Sequence, residues 1–161
     1  DRRAKQALRR DETTDFPNDH RDFIPQLHQA TRDLFQRSWQ QSRYTFLKHI
    51  KPDVGEWATS HRRSRREEVV IARLRTGHTR LTHSARLQGA QQLPCPTCQM
   101  PQTVMHILVE CRKYAQERRR LRSHCNRTGI PLDLPHLLGD EPTMSELLCA
   151  YLRETQLIDE I

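Results

Sequence analysis

No apolar run in this chain approaches the roughly 20 residues needed to cross a bilayer as a helix, so no membrane partner is expected. Aromatic residues are scarce at 6%. That argues against a stacking platform of the kind that binds single strands, which needs several exposed rings. Tyr114 is the one aromatic inside a basic stretch, and it fits a core position equally well. No alternating pattern marks a convincing strand beyond a turn-hairpin near Cys95 to Pro101. No signal peptide is evident, and five cysteines is an odd number. Both argue against a secreted disulfide framework and for a reducing, intracellular setting, in nucleus and cytoplasm. Hydrophobic residues make up only 35% of the sequence, with a mean hydropathy of −0.87. So lean a core calls for long amphipathic helices and an additional source of stability.

A metal supplies that source. Cys95, Cys98, His106 and Cys111 follow the pattern C-x2-C-x7-H-x4-C. Three thiolates and one imidazole are a ligand set that Zn²⁺ holds in a tetrahedron. Pro96 favours a tight turn between the first two cysteines. Val104, Ile107, Leu108 and Cys111 recur at helical spacing, so His106 is expected to face the cysteine turn from a helix over 103–110. The spacing matches neither the ββα finger nor the viral knuckle. Four protein ligands leave no open position for water, which points to structural rather than catalytic zinc. Cys125 and Cys149 remain as ordinary buried thiols.

Charge is distributed unevenly. Seven acids against the lone Arg153 leave residues 133–161 at −6, so the rest of this +7 chain carries +13. A basic body beside a zinc motif suits phosphate. The candidate nucleic-acid contacts are Arg62, Arg63, Arg65, Arg66, Arg75, Arg80, Arg112, Lys113, Arg118, Arg119, Arg120 and Arg122. Arginine makes bidentate phosphate contacts, and backbone and shape recognition are expected more than base reading. The alternative is a solvated helical surface.

Residues 2–10 read as a short basic helix, and 11–18, with Pro17, as a linker. A long helix follows from about Asp22 to Leu47. It has Asp22 as its cap, Pro25 in its first turn, and an apolar stripe of Leu27, Leu34, Phe35, Trp39 and Phe46. Pro52 ends it and Trp57 anchors the connection. Ser64 to Glu67 form a capping box for a helix through Leu74, whose left-handed cap falls at Gly77. Val70, Ile71 and Leu74 face inward. A second short helix, 79–87, makes a corner at 75–78 that matches a DNA-reading helix–turn–helix only in outline. His78 and His83, with no paired carboxylates nearby, read as packing or phosphate-contacting residues rather than catalytic ones. Residues 112–122 form a basic helix, and Gly129 and Pro131 break the chain. Thr143 to Glu146 form a second capping box for a final helix that buries Leu147, Leu148, Tyr151 and Leu152.

Three stretches together resemble the C-terminal end of non-LTR (LINE-type) retrotransposon polyproteins that carry reverse transcriptase followed by ribonuclease H. They are Arg65 to His83 (RREEVVIARLRTGHTRLTH), the segment Cys95 to Cys111, and Ile50-Lys-Pro52 with the tryptophan-bearing helix before it. Asp1-Arg-Arg-Ala-Lys-Gln-Ala looks like the last ribonuclease H helix, which implies that Asp1 matches one metal-binding carboxylate of that enzyme; a helix cap is an equal reading of it. Hydrolysis by two metals requires several converging carboxylates. The others, and the reverse transcriptase motifs, are missing, so this chain is expected to be no enzyme by itself. A start at Asp1 rather than Met fits a piece of a longer protein.

The sequence thus predicts an all-α fold, a helical arm with a small embedded CCHC zinc subdomain. Residues 1–11 would be the remnant of ribonuclease H and 18–90 the arm. Residues 91–126 would hold the zinc segment with its basic helix, and 127–161 an acidic helical tail. The expected role is to bind RNA or target DNA beside the rest of the polyprotein. The alternative is a helical module for protein docking.

Overall fold

The structure, a computed structural model, describes residues 20–60 and 64–161. The basic helix, the linker and Asp1 expected within 1–18, together with Arg62 and Arg63, lie outside the described residues. Among those described the fold is all-α, with no strand. No described helix is long and apolar enough to cross a membrane. The chain divides into two compact units at Ser38 and Trp39.

The first unit contains most of α1 (His20–Gln41). The helix begins two residues earlier than the sequence suggests, so Pro25 falls inside it and one backbone hydrogen bond is missing there. The helix also stops earlier than Leu47. Ser42 N and Oγ both turn back onto Trp39 O, at 3.2 and 2.6 Å. Lys48 Nζ then reaches Gln40 O at 2.7 Å and Ser42 O at 2.9 Å, satisfying carbonyls that the helix end exposes. Thr45, in extended conformation, accepts from Lys48 N and opens a new short helix, α2 (Phe46–Ile50). A threonine that caps a following helix competes with continuation of the preceding one.

The second unit is organised around one cluster of buried side chains. It joins Ile50, Val70, Ile71 and Leu74 to Val104, Ile107, Leu108, Leu121, Leu148 and Leu152. Of the capping box expected at Ser64, the serine half is present: its side chain accepts from Glu67 N at the start of α3 (Arg65–Thr76), while the Glu67 carboxylate accepts from Arg153 instead. Gly77 closes α3 in the left-handed conformation with φ 75°. A Cβ there would also meet the Phe46 ring at 3.1 Å, so glycine is needed both for its backbone and for the close approach. After the corner comes α4 (Arg80–Leu87), entered through reciprocal bonds between Thr79 and Thr82.

Beyond the cysteine segment lie α5 (Arg119–Thr128), α6 (Leu134–Leu138), α7 (Pro142–Glu154) and α8 (Leu157–Glu160). α7 packs on α5, α6 and α8, while α2 and α3 pack on α6. The acidic C-terminal segment is therefore part of the core. Leu134, Leu137, Leu138, Leu157 and Ile161 are all at most 5% exposed. Five of its acids, Glu141, Glu146, Glu154, Asp159 and Glu160, are exposed, which is why net charge conceals the burial. α6 has no counterpart in the sequence reading; Asp133 caps it by accepting from His136 N. The cap of α7 also differs from the expected Thr143 box. Pro142 occupies the first turn, and the Glu141 carboxylate accepts from Thr143 N and Met144 N. A proline at that position needs no donor partner, which moves the start of the helix upstream. As expected, Leu148, Tyr151 and Leu152 are buried, and so are Cys125 and Cys149.

A polar clasp holds the α3 end of the core. Arg75 stacks its guanidinium 3.6 Å above the Trp57 ring and donates to Leu138 O, Gly139 O and Thr59 Oγ1. Asp140 accepts from Lys51 Nζ at 2.5 Å and from Thr59. Burial works against the charged Asp140 carboxylate, but these donors outweigh it and hold the group below the usual carboxylate range.

Candidate metal centre

Cys95 and Cys98 are presented by a tight turn. Gln99 N donates to Cys95 O and Cys95 N to Met100 O, each at 2.8 Å. Gln99 takes a left-handed backbone with φ 58°. Pro101 leads out, and Thr103 Oγ1 accepts from His106 N at 3.0 Å, capping the helical turn that follows.

That turn is not an ordinary α-helix. Residues 106–110 form a π-turn, and Cys111 N donates to His106 O at 2.7 Å. The wider winding has a consequence for ligand geometry. At 3.6 residues per turn, side chains five apart diverge by about 140°. A bond from residue i+5 back to residue i brings them about one full turn apart, onto the same face. The x4 spacing between His106 and Cys111 converges on one point because the helix is wound this way.

One ligand atom from each of Cys95, Cys98, His106 and Cys111 lies within 4.8 Å of all the others. Cys111 Sγ is 3.7 Å from Cys95 Sγ and 3.8 Å from Cys98 Sγ. A tetrahedral ion with bonds of about 2.3 Å to sulfur separates its ligands by about 3.8 Å, so Cys111 already stands at tetrahedral spacing from both other sulfurs. His106 is 2% exposed, and neither ring nitrogen has a hydrogen-bond partner; Nδ1 is 3.7 Å from Glu110 Oε2. A buried polar nitrogen without a partner is costly, and a metal ion removes that cost. The four residues therefore form a metal-binding site, with the set of ligands expected from the sequence.

The thiols differ electrostatically. The backbone N–H of Arg112, 3.4 Å from Cys98 Sγ, favours the thiolate and moves Cys98 below the ordinary thiol range. Burial, reinforced by hydrogen bonds with the neighbouring thiols, pushes Cys111 up to about 11. A metal ion entering at neutral pH must displace the Cys111 proton.

Arg118 holds the site from behind. It is 3% exposed and donates to Leu108 O, Ile107 O and Cys111 O at 2.7, 3.3 and 2.9 Å. Tyr151 adds its hydroxyl to Ile107 O at 2.8 Å; burial pushes its own ionisation up to about 12. These donors satisfy carbonyls at the end of the π-turn.

The expectation that Arg118 and Arg75 are exposed phosphate contacts is corrected by their burial. Helical phase carried the signal: Arg118 shares a face with Leu121 and Cys125, and Arg75 follows Ile71 by one turn. Arg65, Arg66, Arg80, Arg112, Lys113, Arg119, Arg120 and Arg122 are exposed. Two of these already meet the C-terminal segment: Arg66 pairs with Asp159, and Arg120 with Glu154 at 2.6 Å. Among the described residues, no pocket is lined by the candidate arginines.

Comparisons with family models, with curated proteins and with solved structures return no match to this chain.

Proposed function

We propose that this chain is a zinc-stabilised helical module that holds nucleic acid, RNA or target DNA, for a retroelement reverse transcriptase of the non-LTR type. The carrying observation is the exposed set Arg112, Lys113, Arg119 and Arg122, which flanks a Cys3His centre braced by Arg118. Zinc suits this centre best, because three sulfurs and one imidazole match its preferred ligands. Its chemistry would be architectural: four protein ligands close the coordination sphere. Catalysis would belong to other parts of the polyprotein, the part suggested by the resemblance of the arginine-rich and cysteine segments.

Binding by surface arginines is electrostatic. Each neutralised phosphate adds about 0.7–0.9 to the slope of log affinity against log salt. Engagement of four to six arginines gives a slope on the order of −3 to −5. Charge reversal at Arg119, Arg120 and Arg122 should flatten that slope while zinc content stays native. A slope near zero in the zinc-loaded protein overturns the reading.

The second reading, a protein-docking module, has its own observation. α1 exposes Leu27, Leu34 and Phe35, each about 60% accessible, which is unusual for an amphipathic face. On this reading the arginine substitutions leave nucleic acid unaffected and abolish a protein contact instead.

A further inference from the structure

A groove of about 500 Å³ opens between the corner joining α3 to α4 and the strip of chain that links Cys98 to His106. The volume is that of a small-molecule site. One wall carries His78 and His83, whose rings lie 4.3 Å apart with their planes tilted by 39°. The other carries Gln102, and Phe46 and Val104 line the groove between them. Gln92 Nε2 ties the walls together, reaching Leu81 O at 3.3 Å and Gln102 O at 2.8 Å.

The chemistry of the lining is selective by what it omits. Among the described residues no Lys, Arg, Asp or Glu lines the groove, so they offer a bare phosphate no counter-charge. The two imidazoles lie ring against ring, and the described lining of the groove holds no cysteine or carboxylate. What remains is two imidazoles and a side-chain amide. His78 Nδ1 lies 2.8 Å from Thr76 O; a carbonyl accepts, so Nδ1 carries a proton, and Nε2 is left for a ligand. The Gln102 amide makes no hydrogen bond among the described residues and offers a donor and an acceptor side by side. A flat heterocycle with adjacent donors and acceptors on its edge complements this set, and unpaired nucleobases have that character. Arg80, between the two histidines in sequence, is exposed.

We propose that this groove takes one unpaired nucleobase of a single strand, stacked against the His78–His83 pair and read on its edge by Gln102. The inference rests on the nucleic-acid reading above and adds single-strand preference to it. It also ties base binding to the metal, because the Gln102 wall is held between two of the metal ligands.

The test uses the zinc-loaded chain with a labelled 12-nucleotide single-stranded RNA, the matching DNA strand, and blunt duplexes of the same sequence. His78→Ala and Gln102→Leu are measured separately; both side chains lie at the surface or partly so, and zinc content and circular dichroism check the fold. Stacking contributes enough per base that each variant should bind single strands about tenfold more weakly, with duplex affinity within about twofold of wild type. The salt slope should not change. Unchanged single-strand affinity in both variants, with steep salt dependence retained, overturns the groove alone. So does an equal loss on duplex. A wild-type chain that binds no nucleic acid at low salt overturns the groove and the nucleic-acid reading together. Addition of AMP or UMP separates a base within a strand from a free nucleotide. If either shifts the His78 and His83 ring resonances while strand affinity is the same in wild type and variants, the ligand is the nucleotide and the strand proposal fails.

Discussion

The cysteine segment and α1 carry similar amounts of helical pattern and have opposite fates. Val104, Ile107 and Leu108 lie in the shared core, at most 3% exposed. Leu27, Leu34 and Phe35 of α1 repeat at comparable spacing and remain open to solvent. The cysteine segment is held by groups distant in sequence, Arg118 and Tyr151 among them, and by its metal ligands. Within α1 the side-chain contacts include local ones such as Gln29 to Asp33. Periodicity identifies an apolar face; it carries no information about what, if anything, covers that face.

Metal removal should break the comparison most strongly. A structural Cys3His site couples metal affinity to local folding. The turn 95–101 has two backbone bonds of its own, whereas 104–108 also has the core. Chelation should therefore expose amides of 95–103 to hydrogen exchange first, and those of 104–110 only later. Cys111→Ser should abolish stoichiometric zinc, and zinc affinity should fall on acidification because protons compete for the thiolates. Simultaneous loss of protection across α1 on chelation would make the two regions one cooperative structure.

Arg118→Ala should come next, at about 3 kcal/mol in urea unfolding, because it leaves three carbonyls without their charged donor. Lysine should rescue this poorly, since a point charge cannot replace the planar fork. The same measurement on Arg119→Ala, an exposed neighbour, should give less than about 0.5 kcal/mol. Equal effects at the two positions would contradict the buried clamp.

Asp140→Asn should cost about 1–2 kcal/mol through its bonds to Lys51 and Thr59. Because the folded carboxyl titrates below its ordinary value, the ionised form contributes stability above the unfolded pKa. That contribution disappears as pH falls through the folded value. The difference in melting temperature between wild type and Asp140→Asn should therefore shrink in acid. A constant difference down to strongly acidic pH would rule out the charge as its origin.

The smallest effect is expected in α1. Leu27→Glu with Leu34→Glu should change the stability of the isolated chain by no more than about 0.5 kcal/mol. A larger loss would mean that the exposed stripe is covered in solution, and the contrast with the cysteine segment would narrow.

Much of the site follows from local chemistry. Ser64 and Gly77 bound α3 where an N-cap serine and a left-handed residue must act, and the four ligand positions follow from residue type and spacing. Other features depended on competition between neighbours. Thr45 ended one helix by opening another, and Glu141 with Pro142 displaced the expected cap at Thr143.

The sequence alone determined the all-α character, the metal ligands and the faces of α3 and α7, because these arise from contacts within a few residues. Tertiary structure alone decided that the acidic segment is core, that the x4 spacing closes through a π-turn, and that Arg75 and Arg118 serve the interior. Each depends on which distant carbonyls and apolar faces meet. A guanidinium in a basic run looks the same in sequence whether water or three buried carbonyls receive its hydrogens.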